Sequence, residues 1–494
     1  MRSAFAASNR PATTERVWSA RNVPSFIQVK RVIHWFRRDL RLHDNTALEE
    51  ACRRAVQVIP VFILEEALRT GPDVGPARLL FLLQSLDELR NNLRALGSDL
   101  ILRSGKSETE IPKLARELAA DAVFCNTRYE PYAQKRDGRV FNALNELGIG
   151  FESFKDGVVW HEQEVLTQAG KPFTVFTPYA KAWKARKVPL PRPAIDAKKL
   201  RALTSIHSDE LPLDPGVFGH PCSQTIFEAG EQAGLRAWES FLRRKIFSYA
   251  ETRDRADLEG TSQLSPHLRA GTLGIRTVLL QLGKARAKAN PVQQQNCDTF
   301  LNELIWREFY LQVLHNFPHV MRGAFRLEYN ALEWSDHREH FHAWCAGLTG
   351  YPIIDAAMRC LNATGWMHNR LRMIVAMFLT KDLLINWQWG ERYFMQQLVD
   401  GDLAANNGGW QWSAGTGTDA APYFRIFNPT TQAAKCDPSG VFVRRWIPEL
   451  ANVPDDSIHE PWNEPLLAKE YPPRIVRHEE QRPKALAMFA KIKG

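Results

Sequence analysis

Between residues 31 and 155, short apolar runs alternate with stretches of helical period, and no other feature limits the fold of this chain as tightly. VIHWF (32–36), VQVIPVFIL (56–64), DLILR (99–103), AVFCN (122–126) and the segment around Phe151 read as buried strands. Between them Leu79, Leu82, Leu83, Leu86, Leu89, Leu93 and Leu96 recur at helical spacing. Such alternation implies a doubly wound, mostly parallel sheet with helices on both faces. No G-x-G-x-x-G follows the first strand, so the usual dinucleotide fingerprint is missing from this region.

The pattern then changes. Eight prolines fall between Pro172 and Pro221 and strong periodicity lapses, which predicts a long connector wrapped over the surface. From about 226 to 425 the periods are helical, as in AWESFLRRKIFSYAETR and NRLRMIVAMFLTKDLLI. The expected organisation is an extension over 1–30, an α/β domain over 31–156, a linker over 157–225 and an all-α domain over 226–485. At 494 residues the chain exceeds what one core serves. The extension has four Arg and one acidic residue, Glu15, a composition shared by disordered arms and organellar transit peptides. The expected compartment is the cytosol.

A net charge of +9 suits a partner with a phosphate backbone, although many proteins this basic bind none. The seven cysteines are scattered and never spaced C-x-x-C, which argues against a disulfide framework and against a zinc site; no metal is expected. No apolar run reaches the ~20 residues of a membrane span. Of 15 tryptophans, eight (Trp306, Trp334, Trp344, Trp366, Trp387, Trp389, Trp410 and Trp412) crowd residues 300–412. Core packing would explain a few of them; such density asks for a second reason.

Three segments carry candidate chemistry. In TFLNELIWREFYLQVL (299–314), Glu303, Trp306, Arg307 and Tyr310 share one helix face, either a solvated face or a pocket that stacks and hydrogen-bonds a flat ligand. In MHNRLRMIVAMFL (367–379), Asn369, Arg372 and Met373 share another. In DGDLAANNGGWQW (400–412), carboxylates and small residues crowd a turn where a ligand could approach backbone closely. Earlier, GTSQLSPHLRAG (260–271) offers Thr261, Ser262 and Ser265 hydroxyls before a proline, suited to a diphosphate or to ordinary helix capping.

Taken together with IHWFRRDLRLHDNTAL (33–48) and GYPIIDAAMR (350–359), these segments resemble the photolyase/cryptochrome family, in its order, from about 31 to 480. The resemblance is greatest to microbial class I cyclobutane pyrimidine dimer photolyases. It implies a U-shaped FAD in the helical domain, held by Tyr249, Thr261, Ser262, Gln263, Leu264, Ser265, Phe300, Asp400, Gly401 and Asp402, with an Arg372–Asp400 pair beside the flavin ring. Asn406 matches the residue facing the flavin's reactive nitrogen, often Asp or Cys in photoreceptor members; an Asn has no carboxylic proton to give.

The resemblance also implies DNA repair driven by light. Trp306 and Trp412 would stack on a flipped dimer, Glu303 and Asn369 would bond its base edges, and Met373 would cap it. Arg253, Arg307, Tyr310, Arg370, Gln432 and Lys435 match positions near DNA. Asn369, where six-four photolyases have His, favours the cyclobutane lesion. Trp410, Trp387 and Trp334 match the tryptophan chain that rereduces flavin. The antenna departs from the folate pattern, since Tyr132 and Ala133 stand where folate binders have Asn-Glu; folate, deazaflavin, a second flavin or none remain open. A monomer acting on damaged DNA is expected, the rival being a cryptochrome-type photoreceptor.

Overall fold

The computed structural model describes residues 16–19, 29–71, 73–200 and 206–493. Five parallel strands form the first domain: β2 (Val29–Phe36), β3 (Ala55–Leu64), β4 (Ile101–Ser104), β5 (Ala122–Asn126) and β6 (Gly150–Phe154). A sixth, β1 (Arg16–Ser19), pairs antiparallel with β6, giving the order β1-β6-β5-β2-β3-β4. This edge strand comes from within the extension read as structureless, whose other residues up to 28 lie outside the described ones. Alternation did not reveal it because a four-residue strand has no period to detect.

Helices α1 (Thr46–Arg54), α2 (Pro76–Ala95), α3 (Ser107–Glu117) and α4 (Pro131–Glu146) separate the parallel strands. The two faces carry separate cores. Val32, Phe36, Leu48, Phe62, Leu86 and Leu93 pack on one; Ile33, Trp35, Val61, Ile111, Leu144 and Phe151 pack on the other. Odd and even positions of β2 thus face opposite helix layers, as the pleat requires.

The connector is not wholly a surface wrap. Its residues Phe176–Lys184 form helix α5, whose Tyr179 and Trp183 are buried in the core of the second domain. Prolines on both sides hid this single amphipathic helix from a reading by composition. The stretch read as one helix, AWESFLRRKIFSYAETR, also breaks: α6 (Glu231–Arg244) ends before a 3-10 turn at Ile246–Ser248. The second domain is then built from α7 (Pro291–Asn316), α8 (Arg338–Ala346), α9 (Asn369–Met377), α10 (Trp387–Gln397), α11 (Leu403–Ala414) and the C-terminal α12 (His478–Lys493). Asn290 begins α7 with a reciprocal capping box to Gln293, behind Pro291. Among the described residues, no helix is long and apolar enough to cross a membrane.

Buried ion pairs join the two domains. Arg276 of the helical domain reaches Asp44 and Asp156 of the α/β domain, each at 2.7 Å, and Arg41 meets Asp156 at 2.6 Å. At Gly271 (φ +71°) an added Cβ would lie 2.1 Å from the Arg38 carbonyl oxygen, so the backbones touch there. These contacts fix the seam along which the candidate site is built.

Candidate functional site at the seam of α7, α9 and α11

The turn before α11 and the face of α9 meet at one ion pair. Arg372 Nη2 donates to Asp400 Oδ2 at 2.8 Å, and its Nε donates to the Met367 carbonyl at 2.8 Å. The other oxygen of Asp400 is buried and has no partner, as is His368 Nε2. Buried polar atoms in native proteins are almost always paired, so each of these orphans marks a place where a ligand could bond. Burial pushes the His368 imidazole down to about 4, which keeps it neutral and leaves its ring nitrogens for hydrogen bonding.

Asp402 caps α11, its Oδ1 accepting from the amides of Ala404 and Ala405, while Oδ2 lies 3.5 Å from Arg38. Asn406, one turn on, gives its Nδ2 to the Glu391 carbonyl at 2.9 Å. With the amide nitrogen held, the Asn406 carbonyl oxygen is the end turned to other partners. Asn407 in turn donates to Glu391 Oε1 at 2.9 Å. Glu391 therefore holds both asparagines, and the sequence reading did not single it out.

Residues 261–265 precede the short helix Ser265–Ala270. Gln263 has φ +53°, a left-handed conformation that costs energy in a non-glycine residue. Such strain recurs at ligand clamps, and here it turns Thr261, Ser262 and Ser265 about one bend. Next to it lies a set of arginines that the sequence reading also left out. Arg269 Nε donates to the Gly401 carbonyl at 3.1 Å, and Arg78 donates to the carbonyls of Met395 and Leu398. Burial and the neighbouring Arg38 and Arg78 pull the Arg269 guanidinium well below its ordinary value; burial and Arg38 take Arg78 to about 10. Cations crowded this way gain most from an anion, and with the 261–265 hydroxyls they are suited to a diphosphate. Tyr249 and Phe300 pack edge to face at 5.3 Å beside Trp238 and Phe241.

At the mouth, Glu303 of α7 accepts from Arg253 at 2.6 Å, and Arg370 of α9 reaches Asp254 at 2.6 Å. Adjacent residues 253 and 254 thus bridge the two helices. Both arginines are neutralised by acids, which fixes their direction. Asn369 is exposed beside Arg370, and its Nδ2 lies 4.0 Å from Met373 Sδ. Trp306 lies flat against Phe176 of the connector, ring centroids 3.8 Å apart and planes within 5°. One indole face is therefore already covered, by a residue in the segment read as a mere linker. Trp412 and Tyr310 line a small common cavity with Asn407, Gly408 and Gln411.

Two expected DNA contacts also make internal contacts. Arg307 donates to the Gly157 carbonyl at 2.8 Å and towards that of Leu268 at 3.4 Å, tying α7 to the domain seam rather than facing outward. Tyr310 packs against Gly408, where an added Cβ would meet its ring at 2.1 Å. One helix face had seemed to hold all four residues, but a helix turned between two domains shows only part of a face to solvent. Gln432 and Lys435 lie on the helix Pro429–Cys436, Lys435 exposed. Behind the site, Trp410 and Trp387 are buried in one core cluster, and Trp334 packs against its edge.

In the α/β domain, Tyr132 is exposed and Ala133 buried at the start of α4. Near the sheet's C-terminal ends, the guanidiniums of Arg37 and Arg136 lie 4.5 and 4.9 Å from the Trp35 ring centroid. No cluster of residues fit to hold a metal ion occurs among the described residues.

Residues 32–195 match the family described as DNA photolyase, and residues 300–491 the one described as the FAD binding domain of DNA photolyase. The chain belongs to the photolyase/cryptochrome family. Its relatives include the deoxyribodipyrimidine photo-lyases of Vibrio cholerae, 41% identical over 93% of this chain and 99% of that one, and of Escherichia coli K12, 40% identical over 92% and 97%. Among solved structures, a class III photolyase from Agrobacterium tumefaciens matches with a TM-score of 0.87 at 36% identity, covering 96% of this chain and 99% of its own. An archaeal photolyase from Sulfolobus tokodaii, described with two FAD molecules, matches with a TM-score of 0.82 at 33% identity over 93% and 100%.

Proposed function

We propose that this chain is a light-driven DNA-repair enzyme that splits cyclobutane pyrimidine dimers with FAD as its cofactor. The observation that carries the reading is the arrangement around Asp400: a buried carboxylate with one oxygen on Arg372 and the other without a partner, directly behind the mouth formed by Glu303, Asn369 and Met373. The residues present fit FAD, since Asp400, His368 and Asn406 offer hydrogen-bonding atoms and the strained turn at Gln263 leads into the short helix that carries Arg269. Bound and reduced, the flavin supplies the photoexcited electron that opens the cyclobutane ring.

The protein's own part is position and electrostatics. Arg372 and Asp400 would set one fixed charge pair against the bound cofactor. Asn406, held by Glu391, presents an amide with no carboxylic proton to give. Glu303, aligned by Arg253, and Asn369 accept or donate to the polar edges of the flipped bases, and Met373 closes over them. Phe176 holds Trp306 in one plane, so that its remaining face is a rigid platform for a base. Arg253, Arg370, Gln432 and Lys435 lie where a DNA backbone would pass; Arg307 and Tyr310 support the floor. Trp410, Trp387 and Trp334, which share one core cluster and its edge, would supply electrons to an oxidised cofactor.

The acting unit is a monomer in the cytosol, with damaged DNA as partner. The Sulfolobus relative's two FAD molecules support a flavin among the candidate antennas.

Purified protein carrying reduced FAD should restore dimer-containing DNA under blue light and not in the dark. Absence of light-dependent repair with FAD bound would overturn the reading. An absorption spectrum of the purified protein identifies any antenna.

A further inference from the structure

Of the eight tryptophans between 300 and 412, three have no part in the proposed function: Trp344, Trp366 and Trp389. Two of these lie on a continuous aromatic path that starts at Trp410. Trp344, fully buried on α8, meets the Trp410 ring at 6.0 Å between centroids, inclined at 70°. Phe394 fills the angle between them, 5.0 Å from Trp410 and 6.1 Å from Trp344. On the far side Phe341 stacks on Trp344 at 5.9 Å and meets Trp389 edge-on at 5.2 Å. Trp389 is only partly buried. We propose that Trp344 and Trp389 form a second route that refills Trp410 with an electron, parallel to the one through Trp387 and Trp334; this rests on the FAD reading above.

The chemistry of each ring assigns its role. When photoexcited oxidised flavin takes one electron from Trp410, the vacancy moves to Trp344, whose electron fills it. Trp344 cannot keep the vacancy as a neutral radical. Its indole N–H is buried and bonded to the Val375 carbonyl at 3.1 Å, and an amide oxygen does not take up the proton. The phenyl rings of Phe394 and Phe341 are far harder to oxidise than indole and serve only as bridges. Tyr393 also touches Trp344, at 5.8 Å, but its hydroxyl bonds to the Asn362 side-chain oxygen at 2.7 Å and the Cys345 carbonyl at 3.2 Å, neither of them a base.

Trp389 is the place where the vacancy can stay. Its electron moves to Trp344, and the resulting cation radical releases its indole proton to water. The Arg338 guanidinium, 5.1 Å from the ring centroid, disfavours the cation and so favours that release. An external thiol then returns one electron and one proton to Trp389 and becomes a thiyl radical, and two thiyl radicals from two such turnovers join as a disulfide. Sequence spacing could not show this path, because Trp344, Trp389 and Trp410 lie on three helices.

The test uses the FAD-loaded protein in its oxidised state, with thiol present, and reads two quantities: the rate of flavin photoreduction and the transient absorption of the long-lived neutral tryptophan radical. Trp387→Phe is expected to keep both signals at a reduced level. Adding Trp389→Phe should lower them by about a further tenfold, a larger effect than Trp389→Phe has alone, because parallel routes are non-additive. Trp344→Phe in the Trp387→Phe background should repeat that loss. Trp389 lies at the surface, so equal flavin content and circular dichroism separate its effect from misfolding. The proposal is overturned if Trp387→Phe alone is as inactive as Trp410→Phe, or if the double variants match Trp387→Phe. A wild-type protein that binds FAD and shows no photoreduction would instead sink the underlying reading, and this one with it.

Discussion

Glu391 illustrates how a side chain outside every recognised motif can govern a site. Burial raises its carboxyl to about 7, against the partial pull of the Asn407 hydrogen bond. A carboxyl that holds its proton more tightly when folded subtracts stability as pH climbs from the ordinary carboxylate range towards 7, and subtracts no more above that. Glu391→Gln keeps a side-chain acceptor for Asn407 and cannot ionise. Its melting temperature should exceed that of the wild type at about pH 8, with the gap closed near pH 5. A variant that melts lower at both values would show that the bond needs a charged acceptor. At the mouth, Glu303→Ala frees Arg253 as well as removing a contact to the base edge. Repair yield should therefore fall while DNA affinity is held or raised by the released cation; equal losses in both would count against the contact proposed for Glu303.

Between elements, α11 approaches α7 closely, and two adjacent glycines on α11 test that contact. A Cβ at Gly408 would meet the Tyr310 ring at 2.1 Å, whereas one at Gly409 would have nothing within 4 Å. Gly408→Ala should therefore cost about 1–3 kcal/mol through overpacking. Gly409→Ala should gain up to about 1 kcal/mol from helix propensity. Chemical denaturation reads both, and a destabilised Gly409→Ala would mean that the α11 backbone there must stay bare. This pairing also marks what was legible in advance. The five parallel strands were readable because each is a short apolar run between helical periods, and motif order located Asp400, Arg372 and Glu303. Helix α5 was not readable, because prolines flank its single amphipathic face. Neither were Phe176 against Trp306 or the arginines around Gly401, whose proximity arises only when distant segments fold together.

At the scale of the whole molecule, the two domains are joined by buried charges as well as by apolar contacts such as Phe81 with Ala270 and Val399. Burial works against a charged Asp156, yet the Arg41 and Arg276 guanidiniums hold its carboxyl well below the usual range. Removing Arg276 strands part of this charge, so Arg276→Ala should cost about 3–5 kcal/mol in chemical denaturation. Asp44→Asn in the same chain should recover part of that loss; no recovery would place the cost in lost packing. The strand β1 bears on a different property, the colloidal behaviour of the protein. Parallel sheets end in rows of open amides and carbonyls, and an open row invites a second chain to add itself. Here β1, running against the direction of its neighbour, closes the β6 side of the sheet with the chain's own backbone. A protein shortened to begin after Ser19 would keep its fold and its site, but would offer β6 to other copies and should self-associate at lower concentration in light scattering.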